Sequence, residues 1–226
     1  MTKHEVVSQE RWIEVRRALL AEEKAWTRER DRLAQKRRAL PWVKVEKKYV
    51  FQSVDGPLTL GDLFDGRSQL VVYHFMFGPE WEEGCPGCSL LSDQVDGPRQ
   101  HFEHNDVSFV AVSRAPIDKL AAYRKRMGWT FRWVSSAGND FNFDYHVSFP
   151  EGTREPGVFY NFEQQSDPEI DELSGVSVFY KDDDGTIYHT YSTYGRGGEM
   201  FLRSTAGSTS CPKAATRPKG ATSWTG

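Results

Sequence analysis

Two cysteines separated by two residues, Cys85-Pro86-Gly87-Cys88, are the residues of this sequence whose types and spacing most directly carry chemistry. On the first turn of a helix, that spacing lets the two sulfurs meet in a small ring. The first sulfur then sits where unpaired backbone N–H groups and the helix dipole favour a thiolate. The thiolate, not the thiol, attacks disulfides. Pro86 suits the first helical turn, where its missing N–H would have had no partner. Cys85 is therefore expected to attack and Cys88, one turn inward, to resolve. Trp81, Pro86 and Gly87 are expected to shape the site.

The flanking segments supply the frame. The apolar run Leu70 to Phe77 reads as a buried strand, and Ser89 to Val95 as the start of a helix. That helix is expected to reach Asp96 or, past a break at Gly97-Pro98, His104. Val107 to Val112 reads as a second buried strand. Pro116 opens a helix to Met127, which Gly128 ends. Strand, helix, strand, helix within about 60 residues argues for a parallel βαβ unit. Ahead of it, Val43, Val45, Tyr49, Val50 and Phe51 suggest strand, Val54-Asp55-Gly56-Pro57 a turn, and Leu58 to Leu60 a return strand. Phe131 to Val134 reads as a short strand, and residues 135–172 as an irregular aromatic loop. Residues 175–192 read as a hairpin turning at Asp182-Asp183-Asp184-Gly185.

The chain has 226 residues, 38% hydrophobic and 27% charged, with a formal net charge of −3. That charge gives no reason to expect nucleic acid as a partner. No run approaches the roughly 18 apolar residues of a membrane span, so no membrane is expected either. The N-terminus carries no apolar secretory core, which leads to the expectation of a cytoplasmic protein. Three cysteines are too few for a disulfide framework. In a reducing compartment a close pair is catalytic or metal-binding.

Residues 8–38 read as one long helix with Ser8 as N-cap and Glu10 in its first turn. Trp12, Leu19, Trp26, Leu33 and Leu40 recur every seven residues between many charges, with Glu22–Arg16 and Glu29–Arg32 expected as solvated pairs. About 30 residues at 1.5 Å each span roughly 45 Å. Such an arm braces its own domain or crosses to a second subunit. Its length favours a homodimer, because a domain of some 160 residues has a radius of gyration near 15 Å. The expected divisions are a helical arm at 1–41, a domain at 42–202 and a disordered tail at 203–226. Cys211, in that tail, is expected to take no part in catalysis.

Hairpin, βαβ unit, loop and hairpin, with the cysteine pair after the first core strand, is the layout of an α/β thioredoxin-like fold. Leu58-Thr59-Leu60-Gly61-Asp62-Leu63-Phe64 resembles the lead-in of peroxiredoxin-type members. More specific are Tyr73 to Ser89, Val112-Ser113-Arg114-Ala115-Pro116, Arg124-Lys125-Arg126-Met127-Gly128-Trp129 and Ser177 to Asp182. Together they resemble a bacterial domain-of-unknown-function family of predicted dithiol–disulfide oxidoreductases, over roughly Val7 to Met200. The resemblance implies a thioredoxin-like three-layer sandwich with a long N-terminal helix. It also implies a redox enzyme; the expected substrate is a protein or small-molecule disulfide or thiol, and neither cofactor nor metal is expected. Gly84 stands where thioredoxins carry Trp, Gly175-Val176-Ser177 lacks their cis-proline, and Glu82 replaces the Thr or Ser of peroxiredoxins. The chain is therefore not a typical peroxiredoxin.

Two alternatives stand beside the redox reading. His101-x2-His104 follows the cysteines by twelve residues, so Cys85, Cys88, His101 and His104 nearly match a two-Cys, two-His zinc spacing. A non-catalytic interaction domain is the other, resting on the arm and the aromatic loop. Glu80, Glu82 and Glu83 would oppose the helix in setting the Cys85 pKa. His74 either faces the cysteines or is a hydrogen-bonded core residue.

Overall fold

A computed structural model describes residues 4–150 and 152–201, so the tail with Cys211 lies outside the described residues. The chain divides into two units, Met1–Pro41 and Trp42–Gly226.

The first unit is α1 (Gln9–Arg38), whose N-cap Ser8 accepts a hydrogen bond from the Arg11 amide, with Glu10 in the first turn. Three basic residues in its last turn complement the helix dipole. Arg32 pairs with Glu29, as the spacing predicts. Arg16 reaches two turns along to Glu23 at 2.8 Å rather than to Glu22.

The second unit runs β1 (Val43–Lys44), β2 (Val50–Ser53), β3 (Gly56–Thr59), a 3₁₀ turn at Asp62–Phe64, β4 (Gln69–His74), α2 (Pro86–Asp96), α3 (Arg99–His104), β5 (Val107–Ser113), α4 (Ile117–Met127), β6 (Arg132–Ser135), α5 (Phe141–Asp144), β7 (Val158–Tyr160), β8 (Glu163–Gln165), β9 (Gly175–Lys181) and β10 (Ile187–Tyr194). Eight strands form one sheet in the order β1-β10-β9-β4-β5-β6-β2-β3. β4 pairs parallel with β5, and β5 with β6. β9 pairs antiparallel with β4, and β10 with β9. The four strands β5-β4-β9-β10, with the cysteine helix following β4, form the thioredoxin-like arrangement.

Alternation along β4 sorts the core into two layers, because successive strand side chains point to opposite faces. Tyr73 joins Cys88, Leu91 and Val95 of α2, and Leu120 and Tyr123 of α4, on one face. Leu70 and Val72 join Phe51, Phe64, Phe141, Tyr145 and Phe179 on the other. The expected 135–172 loop is more ordered than its composition suggests. Its α5 buries Phe141, which meets Phe51 edge-on at 4.9 Å between ring centres, and β7 pairs with β8 as a two-stranded hairpin. Aromatic burial supplies here the order that local propensity lacks.

The strand expected at residues 70–77 stops at His74. Beyond it the chain leaves the ladder as an irregular segment to Gly84, although Phe75, Met76 and Phe77 remain buried. Phe75 is 1% exposed and lies 4.5 Å from the Trp133 ring, centre to centre. Phe75→Ala is expected to cost about 3–5 kcal/mol of stability, measured by urea denaturation at fixed pH.

Candidate functional site

The bend between β4 and α2 is anchored from both sides. The Phe75 amide donates to the Val112 carbonyl at 3.0 Å, and the Ala115 amide to the Phe77 carbonyl at 2.9 Å. The Cys85 amide donates back to the Met76 carbonyl at 3.1 Å. Gly84 sits against the Phe75 ring, where a Cβ would lie 2.7 Å from its edge and 3.2 Å from the Tyr123 ring. Only glycine allows that approach without moving two buried aromatics.

Cys85 is the N-cap of α2 and Pro86 its first residue. Cys85 is partly exposed, whereas Cys88 is buried on the inner face of the helix; both are free thiols. The Cys88 thiol donates to Cys85, and this bond is the largest cause that draws the Cys85 pKa down to about 6 from 9.0. Partial burial opposes the shift, and the amides of Cys88 and Gly87 reinforce it. Those amides are the unpaired donors expected at a helix N-terminus. None of Glu80, Glu82 and Glu83 is among the principal causes, and Glu83 is paired with Arg126 at 2.8 Å. Burial pushes Cys88 well above 9.0, and the adjacent Cys85 pushes it the same way. Tyr73, buried on β4, hydrogen-bonds Cys88 and partly offsets that rise.

A second ring of residues fixes the helix start. Ser89 Oγ donates to the Cys85 carbonyl at 3.0 Å and meets the Tyr123 hydroxyl at 3.0 Å. Lys119 Nζ donates to the carbonyls of Pro79 at 3.0 Å and Trp81 at 2.8 Å, tying the preceding loop to α4. Trp81 packs half-buried against the core, while Pro86 and Gly87 are exposed at the helix tip. A Cβ at Gly87 would lie 3.8 Å from Cys85 Sγ, an ordinary contact, so that glycine leaves the sulfur open rather than making room for it.

Sequence reasoning missed Tyr73, Ser89, Lys119, Tyr123 and Tyr160. Tyr160 belongs to β7; burial raises its pKa, with Cys88 a lesser contributor, and its hydroxyl donates to the Ser174 carbonyl at 2.6 Å. Tyr73 could have been found from alternation, since it shares the face opposite His74. His74 itself turns away from the cysteines. Its Nε2 meets Ser177 Oγ at 2.9 Å, its ring stacks on Phe141, and burial lowers its pKa to about 3. At Gly175 a Cβ would lie 2.7 Å from the Tyr194 ring. The Tyr194 ring packs against this backbone where only glycine leaves it room.

The zinc arrangement does not form. Among the described residues no three His, Cys, Asp or Glu side chains gather as a metal-ligand set. The physical reason is length. α2 has 11 residues, about 16 Å, and places the break at Gly97-Pro98 and the α3 histidines beyond its far end.

Fold and site together define a thioredoxin-like α/β protein with a vicinal dithiol. Residues 1–213 match the family described as a bacterial protein of unknown function (DUF899), and the chain belongs to it. No curated protein matches the chain. Among solved structures, the peroxidoxin BcpB of Mycobacterium tuberculosis is 14% identical at a TM-score of 0.49, covering 73% of this chain and 96% of its own. PrxQ of Xylella fastidiosa is 14% identical at 0.43, covering 68% and 85%. A putative protein disulfide isomerase of Bacteroides thetaiotaomicron is 17% identical at 0.39, covering 69% and 82%. Among the described residues no helix is long and apolar enough to cross a membrane.

The lowered Cys85 pKa sets a pH window. The Cys85 thiolate stabilises the fold fully above 9.0, and that contribution is lost as pH falls through about 6. Alkylation of the reduced protein by iodoacetamide is expected to label Cys85 with a rate midpoint near pH 6, while Cys88 stays unlabelled at pH 7. Peptide mass mapping over pH 4–9 reads both; equal labelling of the two thiols would contradict the asymmetry.

Proposed function

We propose that the chain is a thiol–disulfide oxidoreductase acting through Cys85 and Cys88. The observation that carries this reading is the asymmetry of the pair: a partly exposed free thiol at the N-cap of α2 with a lowered pKa, hydrogen-bonded to a buried free thiol whose pKa burial raises.

In the reducing direction, the Cys85 thiolate attacks one sulfur of a substrate disulfide. A mixed disulfide forms and the other substrate sulfur leaves as a thiolate. Cys88 then gives up its proton and attacks Cys85 Sγ. The Cys85–Cys88 bond forms and the second substrate thiolate departs. The protein has lost two electrons and the substrate has gained them; the Cys88 proton neutralises a departing thiolate. Tyr73 stabilises the transient Cys88 thiolate through its hydroxyl. In this reading Trp81, Pro86 and Gly87, which flank Cys85 in the chain, shape the approach of the substrate, a protein or small-molecule disulfide. No peroxide-orienting Thr or Ser stands at Glu82, which favours a dithiol over a peroxidase role. Three cysteines in 226 residues fit a reducing compartment such as the cytoplasm.

The arm completes the reading as a dimerisation element. α1 presents Trp12, Leu19, Trp26 and Leu33 along one stripe and buries none of its residues. Burying each such side chain fully is worth about 1.5–3 kcal/mol.

Cys88→Ser is expected to accumulate a mixed disulfide with a model substrate such as insulin, and Cys85→Ser to accumulate none. Both should lose insulin reduction. Trapping by Cys85→Ser would reverse the roles. For the arm, light scattering of the full chain should give a dimer, and of a chain beginning at Trp42 a monomer. A monomeric full chain at tens of micromolar would remove the dimer from the reading.

A further inference from the structure

A cavity of ≈ 490 Å³ lies at the end of the sheet away from the cysteines. Its place follows from strand direction. Arg67 precedes β4, Ser108 and Phe109 open β5, and Arg132 opens β6, whereas Cys85 follows the other end of β4. The volume falls in the range of about 300–1,000 Å³ typical of small-molecule sites.

Four guanidinium groups line this cavity: Arg67, Arg99, Arg124 and Arg132. Three of them have carboxylate partners. Asp65 accepts from Arg67 at 3.0 Å and from Arg132 at 3.1 Å, and Glu103 is paired with Arg99. Arg124 differs. Among the described residues it forms no ion pair, and its Nη1 donates at 3.3 Å to the Phe131 carbonyl. A guanidinium has five donors, so most of its capacity is unspent. Arg99 is held by Glu103 and by Thr130 Oγ1, to which its Nη2 donates at 2.9 Å. Arg124 is therefore the guanidinium with donors left for a ligand.

The rest of the wall sets the ligand's body. Val54, which is exposed, and Leu58, which is half-buried, supply apolar surface, with the buried Phe109 and Trp133 behind them. Asp55, exposed at the β2–β3 turn, is a third lining carboxylate and opposes an anion. We propose that the cavity binds a small molecule joining an oxyanion group, phosphate or carboxylate, to a compact apolar body, with Arg124 as its principal charge partner. Planar guanidinium groups match such oxyanions bidentately.

Calorimetric titration of the reduced full chain at low ionic strength tests this, because salt screens such contacts. Phenyl phosphate and benzoate are the probes for the two oxyanions, and inorganic phosphate is the probe without an apolar body. At least one of the two aromatic probes is expected to bind one per chain with Kd below about 1 mM, more tightly than inorganic phosphate. The tighter of the two identifies the oxyanion. Arg124→Gln should weaken that probe at least tenfold. Asp55→Asn should tighten it several-fold, and Asn suits a turn as well as Asp does, so this variant keeps the test decisive if Arg124→Gln folds poorly. Cys85 alkylation should be unchanged in Asp55→Asn, which separates this site from the redox reading. Absence of binding by both aromatic probes, or an Asp55→Asn protein that binds no more tightly than the unsubstituted chain, would overturn the proposal.

Discussion

The structure depends on the way the chain is held as it leaves β4. A strand that simply continued would bury residues 75–84 in the sheet. Instead, three backbone hydrogen bonds, from Phe75 to Val112, from Ala115 to Phe77 and from Cys85 to Met76, fold the segment over the end of the parallel strands. The bend then delivers Cys85 to the rim and aims the first turn of α2 inward. Gly84 permits this because the Phe75 ring occupies the space a side chain would need.

From that bend follows the electrostatic difference between two chemically identical side chains. Cys85 caps the helix, where the amides of Gly87 and Cys88 favour its thiolate. Cys88 lies one turn inward, against Tyr73 and beneath α4, where desolvation favours the neutral thiol. The hydrogen bond between them strengthens both trends, because it lowers one pKa and raises the other. Three residues of sequence separation become a donor and an acceptor with opposite preferences. Lys119, Tyr123 and Ser89 keep this geometry by tying the loop, α4 and the helix start together.

The two ends of the sheet have different characters. At the cysteine end, buried aromatics dominate, and a buried carboxylate, Glu172, is held by Ser148 at 2.5 Å and Arg114 at 2.9 Å while burial raises its pKa to about 7. At the other end, arginines from a loop, two helices and a strand converge on one cavity. The same parallel strands carry these two chemistries at opposite ends, and Trp133 links them by lining the cavity while its ring packs on Phe75.

The sequence by itself determined the local elements. Ser8, Pro86 and Gly128 mark helix ends where they stand, because capping and φ restriction act over one turn. Hydrophobic period and turn residues located β4, β5 and the β9–β10 hairpin, and the spacing of Cys85 and Cys88 was enough to suggest dithiol chemistry. Family resemblance, rather than periodicity, narrowed the fold. Only the tertiary structure decided what those elements bring together. The end of β4 at His74, the turning of that histidine away from the site and the separation of His101 and His104 from the cysteines depend on packing between distant segments. So does the meeting of Tyr73 with Cys88 and of Tyr123 with Ser89, and the gathering of Arg67, Arg99, Arg124 and Arg132 across 66 positions of chain. Local rules reach about one turn of helix or one hairpin; burial and pKa are properties of neighbours that sequence distance does not encode.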